Sequence, residues 1–223
     1  MTIAENLNQI KNSIPKSVRL VAITKTQSVN TVLEAYKAGQ RIFGENKVQE
    51  MVPKFNQLPK DIEWHMVGHL QTNKVKYIAS FVYMIHGVDS LKLLRVIDQE
   101  GSRNNRQISC LLQIKIAEEE TKFGLSENEA DILLNDPEII SLKNIRISGL
   151  MGMATFTEDE EVIRREFRKL QEIFNRFRTK YFSRTEYFKE LSMGMSSDYR
   201  IAIEEGATYI RIGSSIFGER IYT

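Results

Sequence analysis

Apolar residues in this chain fall into short runs separated by amphipathic stretches, and the alternation repeats from one end to the other. The first run is 19–24. Ser28 then reads as the N-cap of a helix reaching Ala38, and Gly39 reads as its stop, because a hydroxyl accepts first-turn amides and glycine takes the left-handed turn. Further strand candidates lie at 41–43, 63–67, 81–85, 107–114 and 145–151, with helical patterns at about 46–57, 73–78, 90–103 and 126–135 between and after them. Ser126 and Glu129, three residues apart, form a capping box. The charged stretch 158–178 carries Val162, Phe167, Leu170 and Phe174 at helical spacing. A seventh run, 187–191, is interrupted by Lys189 and Glu190; 199–205 is helical and 208–212 is the eighth run. A helix over 4–14 precedes them all.

Strict alternation of strand and helix predicts a parallel sheet. Eight such units in 223 residues predict an α/β fold: one (β/α)8 TIM barrel domain spanning 1–223, with an extra N-terminal helix. The rival doubly wound sheet normally opens with a glycine-rich turn after its first strand, and here that turn is Lys25-Thr26-Gln27.

Composition narrows the function classes. The net charge of +2 gives no nucleic-acid footprint. Cys110 is the only cysteine and lies in an apolar run, so no intrachain disulfide forms and a reducing compartment suits the chain. His65, His69 and His86 lack carboxylates at metal-ligand spacing. No segment reads as a signal peptide or approaches the ~20 apolar residues that cross a bilayer. The expectation is a cytoplasmic protein with no membrane, nucleic-acid or metal partner.

In a TIM barrel the chemistry sits at the C-terminal ends of the strands, so the residues just past each run are the candidates. Lys25 closes the first run. Burial at a strand end disfavours an ammonium and frees an amine able to form an imine; a strand-end lysine can equally snorkel to solvent. After the seventh run, residues 192–198 combine Gly194 with Ser192, Ser196 and Ser197, and Gly213-Ser214-Ser215 follow the eighth. Such segments are either anion-binding amides at a helix start or a plain N-cap and a tight turn. Both stand where TIM barrels place phosphate. A phosphate site with a strand-one lysine points to a phosphorylated aldehyde held as an imine. Arg211, between Ile210 and Ile212, needs an acceptor if it faces inward: a pyridine nitrogen, a phosphate, or a carboxylate in a structural salt bridge.

These residues also carry a family resemblance. Residues 21–25, 43–50, 64–74, 122–124, 149–153, 191–198 and 211–218 resemble, in order, the pyridoxal phosphate homeostasis proteins, which are similar to the barrel domain of alanine racemase. The resemblance implies that Lys25 forms an aldimine with pyridoxal 5′-phosphate, that Ser196, Gly213 and Ser214 lie at its phosphate, and that Arg211 lies near the cofactor. It further implies that Asn46 stands beside the lysine and that His65 and Met66 border the ring. The role implied is intracellular vitamin B6 homeostasis: binding and buffering the cofactor, or delivering it to the apo forms of enzymes that use it.

Catalysis is the competing class. Racemisation needs a base on each face of the substrate Cα, and in the racemase the second is a tyrosine of another domain. This chain ends at Thr223, shortly after its eighth run, which leads to the expectation of a non-catalytic monomer. The alternatives are a stand-alone amino-acid racemase and a Schiff-base aldolase acting on sugar phosphates.

Overall fold

The computed structural model describes residues 1–117 and 123–218; Lys122, in the 122–124 motif, lies outside them. Eight parallel strands close a barrel in sequence order, with β8 hydrogen-bonded back to β1. They are β1 (Arg19–Ile23), β2 (Ile42–Glu45), β3 (Glu63–Met66), β4 (Met84–Val88), β5 (Ile108–Gln113), β6 (Ile145–Met151), β7 (Glu190–Ser192) and β8 (Tyr209–Ile212). The helix expected before the first strand is α1 (Ile3–Ser13), started by a capping box between Thr2 and Glu5. Around the barrel run α2 (Val29–Lys37), α3 (Val48–Gln57), α4 (Leu91–Arg103), α5 (Glu127–Asn135), α6 (Glu160–Tyr181), α7 (Tyr199–Glu204) and α8 (Ser214–Phe217). The (β/α)8 barrel is therefore the observed architecture.

Local chemistry sets the helix starts. Ser28 accepts from the Thr31 amide, Ser90 from Leu93, and Ser126 from Glu129, whose carboxylate returns the bond to complete the box. Each such cap stabilises its helix by about 1 kcal/mol. The long α6 begins at Asp159, which accepts from the Glu161 and Val162 amides, and it buries Ile163, Phe167, Leu170, Phe174 and Phe177. The stripe thus starts at Ile163, and Val162 is only half-buried.

Strand alternation divides the apolar residues into two sets. Val21, Met84, Leu111, Met151 and Tyr209 form a cluster inside the barrel. Their neighbours, such as Leu20, Ala22, Ile85, Cys110, Leu150 and Ile210, join the layer shared with the helices. This is the period-two arrangement of a sheet covered on both faces. β6 and β7 approach closely at Gly149, where a Cβ would stand 1.7 Å from the Glu190 carbonyl and φ is +156°. Only glycine fits there.

Three elements differ from the pattern-based expectation. The fourth strand is Met84–Val88 rather than 81–85. Phe81 is apolar because it stacks on Phe55 of α3, with ring centroids 3.8 Å apart. Arg106 meanwhile bonds the Ala79 and Val82 carbonyls just ahead of the strand. The helix expected near 73–78 is a 3-10 segment, Thr72–Tyr77, too short for a packed α-helix. The seventh strand runs Glu190–Ser192 because Glu190 turns inward to pair with Arg19.

Among the described residues no helix is long and apolar enough to cross a membrane, and no group of His, Cys, Asp and Glu could hold a metal ion. Cys110 is buried and free, and burial pushes its thiol up, away from reactivity.

Candidate functional site

A cavity of about 400 Å³ opens at the C-terminal ends of the strands, within the size range of small-molecule sites. Six of the eight residues singled out from the sequence line it: Lys25, Asn46, Ser196, Arg211, Gly213 and Ser214. Lys25 arrives there by strand periodicity. Val21 and Ile23 face the barrel interior, and the side chain two positions on follows the same side. Lys25 is half-buried. Asn46 repeats the logic one residue past β2.

The β7 and β8 ends build a polar wall. Met195 N–H donates to Asp198 Oδ1 at 2.5 Å, which folds the 195–198 loop and presents Ser196. Gly213 N–H lies 3.4 Å from Ser196 Oγ, joining the two loops. The internal bonds of α8 start at Ile216 and Phe217, which both donate to the Gly213 carbonyl. A helix's first amides have no intrahelical acceptor, so those of Ser214 and Ser215 suit an anion. A Cβ on Gly213 would meet nothing closer than 3.4 Å. Packing within the chain therefore does not demand glycine, and the missing side chain leaves the amides accessible from the cavity.

Arg211 forms the floor. It is buried, and it donates to Ser192 Oγ at 2.6 Å and to the Gly152 carbonyl at 3.0 Å. Burial lowers its pKa to about 10, opposed by the Asp198 charge, so it stays cationic near neutrality. Ser192 Oγ lies 2.9 Å from His86 Nδ1, and His86 Nε2 lies 2.8 Å from His65 Nδ1. The guanidinium can only donate, so Ser192 Oγ accepts from it, and the hydroxyl and the two imidazoles continue the hydrogen-bonded chain. The chain runs down the barrel axis and ends on His65 Nε2, which has no hydrogen-bond partner among the described residues. Burial holds both imidazoles neutral: His65 falls to about 3, and His86 is lowered by burial, then by His65 and Arg211.

His65 and Met66 do not line the cavity. His65 faces inward but one layer deeper, stacked on Tyr83 with ring centroids 5.4 Å apart. Met66 points the other way, into the helix layer, and borders a separate cleft with Lys47, His69 and Lys74. Its neighbour Val67 takes the place at the cavity. His69 is half-exposed, 3.4 Å from Asp89 and stacked on Phe123. Strand alternation from His65 would have identified Val67. Met153 and Met195 follow strands in motifs already noted, and Ile23 shares the face of Lys25. Phe156 is 87% exposed in the loop after β6 and still lines the cavity; no sequence periodicity marks it.

Comparison with known proteins places this geometry. Residues 1–221 match the family model of the alanine racemase N-terminal domain. The pyridoxal phosphate homeostasis protein of Aquifex aeolicus (strain VF5) is 36% identical over 233 residues, covering 100% of both chains. That of Synechocystis sp. (strain PCC 6803) is 38% identical, covering 96% of this chain and 97% of the relative. Among solved structures, PipY of Synechococcus elongatus PCC7942 with PLP bound superposes with a TM-score of 0.88 at 33% identity, covering 97% of this chain and 100% of PipY.

Proposed function

The chain belongs to the pyridoxal phosphate homeostasis protein family, and from that premise we propose that it binds pyridoxal 5′-phosphate in the strand-end cavity, attached through Lys25. The observation that carries the proposal is the convergence of Lys25, Arg211, Ser196, Gly213 and Ser214 on one cavity of suitable size. When bound, the cofactor supplies an aldehyde carbon that condenses with an amine and releases water. Everything else is the work of this chain. Lys25 Nζ offers the amine. The amides at the start of α8, with Ser196, take the phosphate; Arg211 donates a charged hydrogen bond to the remaining polar edge. Met153, Met195, Val67 and Ile23 cover the apolar faces and exclude water.

The role proposed is buffering of the cofactor in the cytoplasm, or delivery of it to apo-enzymes, without turnover. Of the described residues lining the cavity, only Lys25 carries an amine; the others are apolar, hydroxyl, amide or guanidinium groups. The two histidines below it are buried and held neutral. Among the described residues, the wall therefore offers no carboxylate, imidazole or phenol as a second base for racemisation. Adding the cofactor to the purified protein should produce a visible absorbance band that Lys25→Ala lacks. A wild-type protein that stays colourless overturns the binding reading. Racemisation of alanine at roughly 1 per second or faster overturns the non-catalytic one.

A further inference from the structure

Lys25 stands between two residues that are gripped from outside the barrel. The Thr24 carbonyl accepts from Lys54 Nζ at 2.7 Å, and the Thr24 hydroxyl donates to Glu45 Oε1 at 2.6 Å. On the other side, the Thr26 amide donates to Glu50 Oε2 at 2.6 Å. Lys54 ties the two grips together, 2.6 Å from Glu45 Oε1 and 3.7 Å from Glu50 Oε2. Glu45 ends β2, and Glu50 and Lys54 lie one turn apart on α3.

Two features make this more than packing. Thr26 has a φ of +67°, the left-handed region that a β-branched residue rarely adopts. Such backbone persists only where its surroundings hold it, and it gathers at functional sites. The Glu50 carboxylate holds it here, at the residue that follows the lysine. Second, the Glu45 and Lys54 side chains are 0% and 6% exposed. A buried ion pair is poor value for stability, since apolar side chains of the same volume often stabilise as well or better. Both glutamates fall in the motif 43–50, of which only Asn46 lines the cavity.

We infer that Glu45, Lys54 and Glu50 are positioning residues: they clamp the backbone of residues 24–26 so that the Lys25 amine is aimed into the cavity. The inference rests on the reading of Lys25 as the attachment point. The clamp touches neither the cavity nor the reacting atoms; it acts through the two threonines.

The test labels amines with limiting formaldehyde and cyanoborohydride in the absence of cofactor, and compares methylation at Lys25 with that at exposed Lys37 by peptide mapping. In Glu50→Ala the Lys25/Lys37 ratio should fall about tenfold, inside the roughly 10²-fold that a small misplacement of a reacting group can cost. Glu50→Gln keeps an acceptor for the Thr26 amide and should stay within about twofold of wild type. Lys54→Met should follow Glu50→Ala; if it fails to fold, the Glu50 pair decides, because that side chain is only part-buried. An unchanged or raised ratio in Glu50→Ala overturns the clamp, as does a glutamine variant that falls as far as alanine. Formaldehyde needs no phosphate site, so the ratio judges the clamp even if wild-type protein takes up no cofactor, a result that would overturn only the proposed function.

Discussion

Arg211 is where single-residue energetics are most exposed to test. It is a buried cation whose cost is met by hydrogen bonds to Ser192 and Gly152. Replacing it with methionine removes a charged donor from the cavity floor. A charged hydrogen bond contributes about 1.5–3 kcal/mol, so the affinity for pyridoxal 5′-phosphate should fall about 10–100-fold, measured by absorbance titration. An unchanged affinity would show that Arg211 serves the barrel alone. Residues at this scale were legible in sequence where a strand's alternation could be extended past its end: Val21, Ile23, Lys25. The face was less legible where it came from the family motif, as at His65 and Met66, which do not line the cavity. His65 lies on the cavity's side of the strand but a layer too low, and Met66 lies on the opposite side.

At the level of elements, Gly149 of β6 leaves the least room for a side chain of any described glycine, against the Glu190 backbone of β7. Ala at Gly149 would place a methyl 1.7 Å from the Glu190 carbonyl, so Gly149→Ala should lose more than about 3 kcal/mol, the upper end of the usual single-residue range. Phe167→Ala, from the buried face of α6, should lose about 3–5 kcal/mol through transfer and cavity terms. Urea titration checks both; a loss under about 1 kcal/mol in either would contradict the packing described. Helices with serine caps were the most legible elements, because a hydroxyl before an apolar stripe readily accepts a first-turn amide. The fourth strand was not, because Phe81 is apolar for a tertiary reason, its stacking on Phe55. The segment at Thr72–Tyr77 was legible only as helical near 73–78, not as 3-10, because six residues carry too little periodicity to separate it from α-helix.

For the molecule as a whole, the barrel was legible because eight alternations leave few topologies open. The polar chain down its axis was not, because strands far apart in sequence contribute its members. That chain couples stability to pH. His65 is held near pKa 3 in the folded protein against about 6.5 unfolded. Below pH 6.5 the unfolded state therefore binds the extra proton, so the stabilising contribution, full above 6.5, is lost as pH falls toward 3. The slope is about 1.4 kcal/mol per pH unit for one histidine. Glu45 and Glu63, raised by burial, act in the opposite sense, so the clean measurement is a difference. Between pH 6 and 4 the unfolding free energy of His65→Gln should fall less steeply than that of wild type by about that amount. Equal slopes would mean that His65 is protonated in the folded barrel.

Covalent retention of pyridoxal 5′-phosphate at Lys25 can be read out by borohydride reduction of the purified protein with the cofactor, followed by peptide mapping. Reduction should leave a phosphopyridoxyl group on the peptide that contains Lys25 and remove the visible band. A label confined to other lysines, or no label at all, would contradict it.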